Sequence, residues 1–172
     1  LRFFRGCGTF GVKVESRRHE FFMSAALVFG EKDGVEARRI AMTDEEIIER
    51  FAAGTLPAAD FHHREHVRLA WLHLKKLPVA DALAALSAGL RRMAQAHGRP
   101  EKYHETVTWA YALLIRERMA RTGEGSSWQE FAASNADVLE WEGAGPLKAY
   151  YREETLRSDL ARQIFVFPDK IQ

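Results

Sequence analysis

From residue 43 onward, apolar positions recur every three to four residues and stop at regular punctuation. Pro57, Pro78, Pro100, Pro146 and Pro168 fall where the periodicity ends, and Gly54, Gly98, Gly123 and Gly143 lie near the same breaks. The spacing predicts helices over 44–53, 61–76, 79–97, 101–122 and 127–140, with a shorter pair near 146–151 and 153–165. Thr43 or Asp44 can cap the first of these, ahead of an acidic first turn that suits the helix dipole. Ser126 or Ser127 can cap the fifth, and Glu130, three residues after Ser127, completes a capping box. On the third helix Leu83, Leu86, Leu90, Met93 and His97 fall within an arc of about 80°, opposite Asp81, Arg91, Arg92 and Gln95. On the fourth, Tyr103, Val107, Ala110, Tyr111, Leu114 and Ile115 share a face that Trp109, Leu113 and Met119 widen, which predicts a central position. No strand alternation of comparable strength occurs. Short connections favour antiparallel neighbours, so the expected fold is all-α: an antiparallel bundle of about four main helices with a short helical C-terminal appendage.

The first 41 residues behave differently. They show no sustained period, hold five of the twelve glycines, and contain the apolar run "FFMSAALVF" at residues 21–29. That run is much shorter than a membrane span of about 20 residues, and Glu20 precedes it. Residues 1–41 are therefore expected to be a non-core extension or the product of a mis-assigned start, with Met23 or Met42 as the true one; a short β-hairpin across "FGVKVE" and "AALVF" is the alternative. Residues 42–172 are expected to form a single helical domain.

Composition agrees with one core: 172 residues, 47% hydrophobic and 28% charged, are ordinary globular values. The single cysteine, Cys7, cannot close an intramolecular disulfide, so a cytoplasmic location without membrane association is expected. Charge argues against nucleic acid as a partner. Residues 1–41 carry 8 Lys+Arg against 5 Asp+Glu, whereas 42–172 carry 17 against 19, so the net charge of +1 is not concentrated on the helical part.

Chemistry concentrates in "FHHREHVRLAWLHL", residues 61–74, which holds four of the seven histidines. Continued as a helix, His62, His66 and His73 fall within about 40° of one another, bordering the apolar face, with His63 about 100° from His62. His62 and His66 would then have the i, i+4 spacing that lets two imidazoles grip one ion. On the fourth helix His104 points inward with Tyr111 and Ile115. If these helices pack together, His62 or His63, His66 and His104 supply three nitrogen ligands for one divalent transition metal, zinc, iron, copper or manganese. A position would remain for water or substrate. Glu105 and Tyr103 become acid or base candidates, with Thr108 in support. The competing reading makes the same histidines core and capping residues.

Other motifs add little. Residues 62–66 satisfy H-x-x-E-H, but a small bundle is not the usual setting of that zinc-protease pattern. The chain has no dinucleotide fingerprint, P-loop or nucleophile elbow. Tyr150 and Tyr151 near Arg152, Arg157 and Arg162 fit a closing helix that covers the core with apolar bodies better than an anion pocket.

Taken together, "FHHREHVRLAWLHL", "YHETVTWAYALLIRERM", "FAASNADVLEW" and "YYREETLRSDLARQIFVFPD" resemble a functionally uncharacterised family of small bacterial all-helical proteins, over residues 43–169. The resemblance implies an all-helical domain starting near Met42 and brings no catalytic or binding role with it. Two functions remain open: a metal-binding bundle, or a non-catalytic module that binds a small ligand or a protein partner. Oligomeric state and substrate are not legible.

Overall fold

The Thr43 hydroxyl accepts from the Glu46 amide at 3.2 Å, and the Glu46 carboxylate accepts from the Thr43 N–H at 2.9 Å. This reciprocal cap satisfies two free donors and starts α1 (Asp44–Ala53) where the sequence places it. Gly54 ends the helix in the left-handed region, φ 69°. The computed structural model describes residues 42–57, 61–123 and 125–170. The extension or hairpin expected for 1–41 lies outside them.

α1 is followed by α2 (His63–Lys76), α3 (Val79–Ala96), α4 (Glu105–Thr122), α5 (Trp128–Ser134), α6 (Glu153–Arg157) and α7 (Asp159–Gln163). Tighter 3-10 turns occupy Pro100–Lys102, Ala136–Leu139 and Glu142–Ala149. The described residues contain no strand. α2, α3 and α4 pack on one another, α1 lies against α2 and α3, and α7 covers α4. The link between α2 and α3 is only Leu77 and Pro78, so the chain reverses there. It reverses again through the Pro100–Lys102 turn, and α2 and α4 consequently share a direction.

The core follows the apolar stripes. Leu69, Leu86, Ile115, Phe131 and Leu147 are at most 2% exposed, and burying each such side chain contributes about 1.5–3 kcal/mol. α1 comes unusually close to α3. Gly89 lies directly under the Phe51 ring, and a Cβ there would overlap the ring atoms. The C-terminal residues cross α4 as a strap. Thr106 Oγ1 donates to the Ile164 carbonyl at 2.7 Å and accepts from the Val166 amide at 3.0 Å, while Phe165 stacks on Trp109. The Tyr151 hydroxyl donates to the Val166 carbonyl, and the Asp169 carboxylate accepts from the Arg152 amide and the Thr155 hydroxyl.

Several boundaries differ from the expected ones. Phe61 and His62 precede the helix, His62 in extended backbone, and α2 begins at His63. The fourth helix begins at Glu105, because Pro100 starts a 3-10 turn and His104 caps α4 instead. The fifth breaks at Asn135, whose side-chain amide donates to the Phe131 carbonyl and so competes with helix continuation. The last breaks at Ser158, whose hydroxyl accepts from the Ala161 amide and starts α7.

Candidate functional site

The N-terminal halves of α2 and α4 and the C-terminal half of α3 do not fill the space between them. They leave a cavity of about 100 Å³. Its walls are mostly apolar: Leu69, Leu86, Leu90, Met93, Val107 and Ile115 contribute. Its polar groups are His63 and His66 from α2, Tyr103 and His104 ahead of α4, and Thr108 and Tyr111 from α4. Lys102 reaches it from the Pro100–Lys102 turn and Trp141 from just ahead of the Glu142–Ala149 turn.

His104 is the best fixed. Its side chain accepts from the Val107 amide at Nδ1, capping α4, and its Nε2–H donates to the Leu156 carbonyl at 2.8 Å. A carbonyl can only accept, so the partners define a neutral Nε2–H tautomer. His63 is set in the same way. Its Nε2–H donates to the Val138 carbonyl at 2.9 Å, which leaves Nδ1 as a lone pair, and its ring lies 5.1 Å from both Tyr111 and Trp141. The His66 ring meets the Phe61 ring edge-on at 4.2 Å.

Burial holds these imidazoles neutral. It lowers the pKa of His63 and of His104, against a smaller opposing pull from the carbonyls they bond. His66 is pushed down to about 3, first by burial and then by the neighbouring His63. The hydroxyls are engaged as donors. Thr108 donates to the His104 carbonyl at 2.9 Å, and Tyr103 donates to the Glu105 carboxylate at 2.5 Å. Burial, then that hydrogen bond, raises Tyr103 to about 12.

The structure thus brings together His63, His66, His104, Tyr103 and Thr108, and leaves two expected residues out. His62 precedes the helix in extended backbone, φ −91° and ψ −176°, and does not line the cavity. Glu105 is buried but committed elsewhere, pairing with Arg91 and accepting from Tyr103. With both His104 nitrogens occupied as well, the expected metal set of His62 or His63, His66 and His104 is not assembled. Among the described residues no group of three or more His, Cys, Asp or Glu is placed to hold a metal ion. Trp141 escaped the sequence reading because it follows the predicted 127–140 helix, and Lys102 because it lies off the apolar face assigned to the 101–122 helix.

Fold and cavity define a small all-α bundle with an apolar pocket edged by neutral histidines. No family model, curated protein or solved structure matches the chain. No helix among the described residues is long and apolar enough to cross a membrane.

Proposed function

We propose that the protein is a binding module for a small, mainly apolar molecule with one polar end, held between α2, α3 and α4. The observation that carries this reading is the joining, in one cavity, of a continuous apolar wall with imidazoles kept neutral by burial. A cavity of about 100 Å³ suits a ligand of roughly one ring or a short chain. The neutral His63 and His66 rings add polar edges to the apolar wall. The histidines serve here as core, capping and contact residues.

The test is thermal unfolding of the full chain with a panel of small ring and short-chain compounds, on wild type and on Ala94→Leu. Ala94 is buried in the cavity wall, so the larger side chain fills the space the ligand needs. At a ligand concentration of about 100 Kd, wild type should gain about 2.7 kcal/mol, and the folded variant should gain almost nothing. A panel that leaves wild type unmoved, or that moves the variant equally, would overturn the proposal.

A further inference from the structure

We infer that the molecule held in this cavity is a small monocarboxylic acid, its carboxylate set against Lys102 and its apolar body among the bundle side chains. The inference rests on the cavity being the ligand site. Among the described residues, Lys102 is the only Lys, Arg, Asp or Glu in the lining, and the three imidazoles there are held neutral by burial. It is partly buried, and among the described residues it makes no side-chain hydrogen bond or ion pair. A lysine on the rim of an otherwise apolar cavity offers a positive partner to an anion that enters it. Nearby Glu105 does not play that part, because its carboxylate is held by Arg91 and Tyr103.

A second group asks for the same chemistry. The Trp141 indole lines this cavity, and its Nε1–H is buried without an acceptor among the described residues. Buried donors normally find a partner, and an unmet one marks a place where an acceptor belongs. A carboxylate supplies one negative charge for Lys102 and acceptor oxygens for N–H donors. The single cation and the apolar walls fit a singly charged acid, with the rest of the molecule a ring or a chain of about five carbons by volume.

The experiment is calorimetric titration of the full chain with benzoate and hexanoate against their uncharged amides, benzamide and hexanamide. Wild type, Lys102→Met and Lys102→Arg are compared, with circular dichroism confirming that each variant is folded. Wild type should bind each acid about tenfold more tightly than its amide, with the preference shrinking as salt rises. Lys102→Met should erase the preference while leaving amide binding in place, and Lys102→Arg should restore it. If amides bind as well as acids, or if Lys102→Met keeps the preference, the inference falls while the cavity stands as a ligand site. If neither acids nor amides bind wild type, the proposed function and the inference fall together.

Discussion

The His104 ring spends one nitrogen on the start of α4 and the other on the Leu156 carbonyl, 52 residues away in sequence. Replacing it by alanine removes a helix cap and leaves a carbonyl without its donor. His104→Ala should therefore lower stability by about 2–3 kcal/mol, the sum of a typical cap and one lost buried hydrogen bond. His104→Asn keeps a capping side chain and should recover about 1 kcal/mol of that loss in urea denaturation. An equal loss in both variants would show that the cap contributes nothing. Sequence spacing alone pointed His104 inward, correctly, but it could not show which atoms its nitrogens meet. The Leu156 partner comes from the far end of the chain, and no local periodicity encodes it. The same limit explains His62. It stands ahead of α2 and outside the cavity lining, where a helical angle no longer applies.

At the scale of elements, capping signals were the most legible feature. Thr43 caps α1 as expected and Ser127 forms the box with Glu130 that its spacing suggests, because a cap depends only on residues about three apart. Interruptions were less visible, since Asn135 and Ser158 act through side-chain bonds that compete with an otherwise helical pattern. The C-terminal strap is a further case, for its hold on α4 depends on one fully buried hydroxyl. Thr106→Val keeps the shape and removes both hydrogen bonds to the strap. It should cost about 2 kcal/mol and expose residues 164–170 to proteolysis, with helical circular dichroism nearly unchanged. A strap as resistant as that of wild type would mean that the Phe165 stack on Trp109 suffices to hold it.

For the whole molecule, the buried imidazoles make stability depend on pH in a definite direction. The lowered folded-state pKa values of His63, His66 and His104 mean that unfolded chains take up protons first. Stability should be full above about pH 6.5, where the unfolded histidines are neutral too, and should fall as pH drops from there towards about 3, the folded value for His66. Each such histidine adds a slope of up to about 1.4 kcal/mol per pH unit. His66→Leu should be the shallower curve in denaturation midpoints taken between pH 4 and 7; parallel curves would mean that this ring is not held neutral. The overall all-α architecture was readable because apolar stripes of period 3.6 report which faces meet. The cavity was not, because it is a property of what three helices fail to fill. The close seat of Phe51 on Gly89 bears on how this sequence can drift. Position 89 is open to change only in company with position 51, so relatives bearing any side chain at 89 should carry a smaller residue at 51, a coupled pair of substitutions that marks descent of this packing.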